Sequence, residues 1–191
     1  MHTNSSNRFL IKWISITSFG YLLAQTIGIF ITNAVFPKAE LAALPSSPLY
    51  FGVFGVLLGL AQWICIRERI PNIFGWVIAT AIGFFIVALT LKLLNRSEGI
   101  NSFLKEFPLL VYFFGGMILG FAQYQTIKKT LRKAYWWIIV VAISWVISQV
   151  FIRMDDVAIY FLGVLVFAMV TGLAFVWLVK NPYSEIQPAY Q

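Results

Sequence analysis

A chain of 191 residues that is 60% hydrophobic and only 11% charged, with mean hydropathy +0.84, cannot cover a water-facing surface; a soluble domain carries about 25% charged residues. Its net charge of +7 would suit nucleic acid, but the placement of the basic residues has a simpler cause, given below. A single cysteine, Cys65, excludes an internal disulfide and a multi-cysteine metal site.

A bilayer core about 30 Å thick takes roughly 20 apolar residues of helix, and the chain offers six such runs. The first, Trp13–Phe36, follows Arg8 and Lys12 but exceeds the roughly 7–15 apolar residues of a signal peptide, so a retained helix is expected. "PKAELAALPSS" leads to Pro48–Ile66, and "RERIPN" to Ile73–Leu94. "KLLNRSEGINSFLKEFP" precedes Leu109–Ile127, "KKTLRKA" precedes Tyr135–Ile152, and "RMDD" precedes Val157–Val179. The expected fold is all-α: one polytopic membrane domain over residues 1–191 with six transmembrane helices. Residues 182–191 are expected to form a flexible cytoplasmic tail.

Charge sets the orientation. Nine basic and two acidic residues fall at the N-terminus, the second and fourth connections and the C-terminus, against five of each on the opposite side. The cytoplasmic face carries the excess of Lys and Arg in short loops, so both termini are expected there. This accounts for the net charge without nucleic acid. Lys128, Lys129, Arg132 and Lys133 make the fourth connection the most basic loop, suited to anionic lipid headgroups as well as to topology. Trp13, Trp76, Trp136 and Trp137, with Trp63, Tyr124 and Trp177, sit at the same ends of their runs and read as an interfacial aromatic belt.

Two stretches repeat. "GLAQWICIRE" at 59–68, "GFAQYQTIKK" at 120–129 and "GLAFVWLVKN" at 172–181 align without gaps. In the other three runs a Trp is followed seven residues later by Gly20, Gly83 or Ser144. Three tandem hairpins are expected, over about 9–69, 70–131 and 132–181. Gly55, Gly59 and Gln62 share one helical face, as do Gly116, Gly120 and Gln123. Ala168, Gly172 and Phe175 follow the pattern without the amide. Small residues four apart let helix backbones approach, and a glutamine beside them can bond across the contact.

Gln25 and Gln149 each lie twelve residues after a Trp, roughly 18 Å along the helix. They are either packing glue or a site for a neutral solute near the midplane. No ionisable residue falls clearly inside a run, which argues against ion coupling; Lys12 and Lys92 stand at helix ends and can snorkel. No HExxH, GxSxG or phosphate-binding glycine loop is present. His2 is the single histidine, and Asp155–Asp156 the one paired carboxylate, read as a solvated turn. Neither catalysis, nor a metal, nor a cofactor is expected.

With "GLAQW…R" followed by "GW" or "WW", the chain resembles uncharacterised multi-pass membrane proteins frequent in cyanobacteria. The resemblance implies no particular activity; it implies a bacterial inner membrane, or a thylakoid membrane if the source is cyanobacterial. The leading functional expectation is a non-enzymatic interaction or assembly subunit of a membrane complex. The alternative is a permease, or a membrane-embedded substrate-binding subunit, for a small neutral solute. A pigment or lipid carrier is the third.

Overall fold

The computed structural model describes residues 3–37, 47–94, 106–152 and 156–182. Residues 183–191 of the expected tail, His2, Asp155 and most of the charged residues of the less basic side lie outside them. The described chain is all-helical: α1 (Thr3–Val35), α2 (Pro48–Ile66), α3 (Gly75–Leu94), α4 (Pro108–Ile127), α5 (Trp136–Ile152) and α6 (Val157–Val179).

Helix starts follow local chemistry. Ser47 Oγ accepts from Tyr50 N at 3.1 Å, and Pro48 occupies the first turn, where its missing N–H has no partner to lose. Asp156, one of the paired carboxylates, caps α6 by accepting from Ala158 N (2.7 Å) and Ile159 N (3.2 Å). Asn72, at φ 59°, takes the left-handed conformation that turns the chain between α2 and α3. Arg67, Lys128 and Lys180 stand at the C-caps of α2, α4 and α6, where a cation complements the helix dipole. The α1 helix starts ten residues before its apolar run.

Four helices, α1, α2, α3 and α6, are long and apolar enough to cross a membrane, and the protein is membrane-embedded. The α5 helix has 17 residues, and α4 carries the amides of Gln123 and Gln125 in its last turns.

The helices form a closed ring in chain order. Each packs on its sequence neighbours and α6 returns to α1, with the α3–α4 and α6–α1 interfaces the thinnest. Glycines set the tight joints. A methyl group at Gly55 would lie 2.8 Å from Ala81 Cα, and one at Gly59 would lie 3.0 Å from Val77 Cα. Sixty-one residues on, Gly116 and Gly120 meet Ala142 Cα and Ile138 Cα at 2.6 and 2.9 Å. On α1, Gly20 abuts Ala61 of α2, and on α3, Gly83 abuts Leu119 of α4. The α6–α1 joint is built differently, since Gly172 faces the side chains of Trp13 and Leu10 rather than backbone.

The ends of α2, α4 and α6 meet the starts of α3 and α5 at the basic end of the bundle. There Leu131 pairs with Pro182, and Arg132 N donates to Asn181 O at 3.1 Å, tying the α4–α5 loop to the end of α6.

Candidate functional site

Three of the tryptophans expected at the headgroup level lie instead in the core. Trp13, Trp76 and Trp137 are 0–1% exposed, on helix faces turned toward the bundle interior. Trp76 and Trp137 lie 5.5 Å apart, and Trp13 meets Trp137 edge-on at 6.4 Å. Phe175 stacks on Trp13 at 5.3 Å and presents its edge to the other two. This cluster fills the bundle axis near the basic end. Trp136 and Trp177, at 45% and 42% exposure, keep the peripheral position expected of them.

A buried indole needs a partner for its N–H, and the motif glutamines provide it. Trp76 Nε1 donates to Gln62 Oε1 at 3.0 Å, and Trp137 Nε1 donates to Gln123 Oε1 at 2.9 Å. Gln123 Nε2 donates to Thr80 Oγ1 at 3.0 Å and reaches Gln62 Oε1 at 3.4 Å. One network thus crosses α2, α3, α4 and α5. On α6, where Phe175 replaces the amide, Trp13 Nε1 turns to Thr171 Oγ1 at 3.2 Å, one turn earlier. The seven motif residues Gly55, Gly59, Gln62, Gly116, Gly120, Gln123 and Gly172 thus split by role: the glycines of α2 and α4 set the backbone contacts, Gly172 meets Trp13, and both glutamine oxygens accept indole hydrogens.

The basic loop is held against the bundle. Lys128 bonds to Gln125 Oε1 and lies over Tyr124, and Lys133 lies 5.1 Å from the Trp177 ring. Lys129 and Arg132 are exposed. Beside it, Lys12 donates to Glu68, and this hydrogen bond holds the Glu68 carboxyl below its usual range.

Beyond the cluster, toward the other end, the bundle is hollow. A cavity of about 220 Å³ is lined by residues of all six helices. The α1 helix supplies Tyr21 and Gln25, α2 supplies Tyr50, Phe51 and Phe54, and α3 supplies Phe84, Val87 and Leu91. Val111, Tyr112 and Gly115 come from α4, Trp145 and Gln149 from α5, and Tyr160 from α6. The structure thus brings Gln25 and Gln149, 124 positions apart in sequence, into one wall. Tyr160 Oη donates to Gln25 Oε1, which leaves the Gln25 Nε2 donor without a partner among the described residues. The Gln149 amide likewise makes no hydrogen bond among them.

None of the lining residues carries a formal charge, so the cavity offers amide and phenol donors inside an aromatic wall. It exceeds the cavity of about 150 Å³ that takes up benzene and falls short of the roughly 300–1,000 Å³ of drug-sized sites. A single ring fits it. No group of three metal-ligating side chains comes together among the described residues.

The chain matches no family model, no curated protein and no solved structure. The site's chemistry therefore has to speak for itself. The tyrosines on the even helices, Tyr50, Tyr112 and Tyr160, belong to no motif in the sequence. Their common position, in the half of each run away from the basic residues, was the available signal.

Proposed function

We propose that the protein spans the membrane six times with both termini in the cytoplasm, and that it binds a small neutral molecule in the cavity around Gln25 and Gln149. One observation carries this reading: six helices contribute to one uncharged, aromatic hollow on whose wall the Gln25 and Gln149 amide nitrogens make no hydrogen bond among the described residues. Sites of this kind, mostly apolar with a few placed polar groups, are the usual form of small-molecule pockets. By the positive-inside rule the cavity belongs to the outer half of the membrane. The protein then acts as a non-enzymatic permease component or substrate-binding subunit, and the equal offsets of the Trp–Gln pairs support an origin in tandem hairpins. In keeping with the resemblance noted above, the membrane is a bacterial inner membrane or a thylakoid.

The test is a thermal-shift screen of the purified protein with neutral single-ring compounds, alongside the Gln25→Leu/Gln149→Leu double variant. Stabilisation by some compounds that the double variant loses supports the reading; no stabilisation by any of them removes it. Thiol labelling of cysteines placed at Lys129 and at Val157 tests the orientation, which requires opposite-side accessibility.

The assembly reading rests on a different feature. A wholly apolar hollow of about 530 Å³ lies on the outer wall of α1, α2 and α3, lined by Ile27, Val53 and Phe85 among others. A partner helix seated there would co-purify stoichiometrically from native membranes in mild detergent, and its absence would count against that role.

A further inference from the structure

The cavity shares part of its wall with a smaller space. A second hollow, of about 110 Å³, lies in the seam between α3 and α4 and is lined by apolar side chains and Thr90. Four residues, Val87, Leu91, Val111 and Gly115, line both spaces. The α3–α4 interface is one of the two thinnest in the ring. At Gly115 the wall lacks a side chain, and a methyl group there would reach Val87 Cγ1 at 3.4 Å. The lipid-facing edge of the seam includes Phe114 and Leu110, 58% and 43% exposed.

Resting on the cavity reading above, we infer that the ligand is a membrane-dissolved amphiphile that enters sideways between α3 and α4. A single carbonyl-bearing ring occupies the cavity, and a hydrocarbon tail lies in the seam. Three features converge on this chemistry. The cavity has room for one ring only. Gln25 Oε1 already accepts from Tyr160, so Gln25 offers the cavity its Nε2 donor, which calls for a carbonyl oxygen on the ligand, while Gln149 can donate to a second carbonyl through its own nitrogen. The seam across the cavity from Gln25 is apolar and opens toward lipid, which suits a tail and gives a water-soluble solute nothing. The larger hollow on α1, α2 and α3 shares no residue with the cavity and holds annular lipid alone when the protein is by itself.

The test uses the full-length protein in nanodiscs and two probes, a benzoquinone with a ten-carbon tail ending in a diazirine, and the same ring without the tail. On illumination the tailed probe should label the seam peptides around Phe114 and Ile118, and unlabelled tailed quinone should compete this labelling away. Labelling of the Val53–Phe85 hollow should not saturate. Thr90→Phe and, separately, Ile118→Phe fill the seam without touching the cavity lining. Each should abolish saturable labelling while the tailless ring still stabilises the protein in a Gln25-dependent way. Retention of saturable seam labelling in both variants, or equal labelling of the outer hollow, overturns lateral entry while leaving the cavity reading intact. If neither probe stabilises the protein and no labelling is competed, both are overturned.

Discussion

The two ends of the bundle use the same vocabulary, aromatic rings beside glutamine amides, to opposite effect. At the basic end, Trp76 and Trp137 hand their indole hydrogens to Gln62 and Gln123, Phe175 fills the axis, and little space remains. At the far end, Gln25 and Gln149 face a hollow ringed by Tyr21, Tyr50 and Trp145, with amide donors to spare. Whether a membrane glutamine is glue or a site is thus decided by whether its partners come from the protein itself. Burying an amide without a partner costs free energy, and Gln25 and Gln149, only half-buried on the cavity wall, avoid that cost without consuming their nitrogens.

The sharpest way to break the closed end is at its backbone contacts. Gly116→Leu forces a side chain against Ala142 Cα, where even a methyl would lie at 2.6 Å. The variant should lose the monodisperse peak in size-exclusion chromatography, whereas Gly52→Ala, whose methyl would find only Phe85 at 3.9 Å, should elute as the parent. A middling loss is expected for Gln123→Leu, which strips the Trp137 indole of its acceptor and Thr80 of a donor. Leaving such groups buried and unpaired costs about 1–3 kcal/mol, read as a lowered thermal midpoint in detergent. At the open end the stability effect should be smaller still. Gln25→Leu with Gln149→Leu strips the half-buried Tyr160 hydroxyl of its acceptor, so the midpoint of the empty protein should fall by less than that of Gln123→Leu while any ligand-induced shift is erased. A fall as large as that of Gln123→Leu would make these amides structural after all.

The smallest effect lies outside the membrane. Glu68 is held below its usual value of 4.5 by Lys12, then by Arg67 and Arg69. A carboxyl lowered by folding contributes stability that is present above its unfolded value and lost as pH falls through its folded value. The midpoint of the parent should therefore drop slightly more than that of Glu68→Gln as pH is taken below 4.5. Because Glu68 is exposed, the difference should be near the limit of a careful melting measurement, and a large one would point to a network that the structure does not contain.

The helices were legible because lipid demands long apolar runs, and five of the six begin within two residues of their runs; α1 alone reaches further, to Thr3. The glycine and glutamine motif was legible as a pattern, since spacing fixes which residues share a face. What stayed hidden was rotation. Adjacent Trp136 and Trp137 are chemically identical and lie one residue apart, yet one is 45% and the other 1% exposed. That choice is made by Gly116 and Gly120 on the neighbouring helix, through a contact that no local pattern records. The cavity was half legible for the same reason. Gln25 and Gln149 stood out as amides in apolar runs, while their tyrosine neighbours acquire meaning only once six helices face one axis.

The pairing of Trp13 carries a consequence for how the molecule is made. Trp76 and Trp137 find their glutamines 14 residues back along the chain, but Trp13 waits for Thr171, 158 residues ahead. Since synthesis runs from the N-terminus, the first helix enters the bilayer with its indole unsatisfied and stays so until the last helix is released. The contact of α6 with α1 that closes the ring is the same one that gives the Trp13 indole its acceptor.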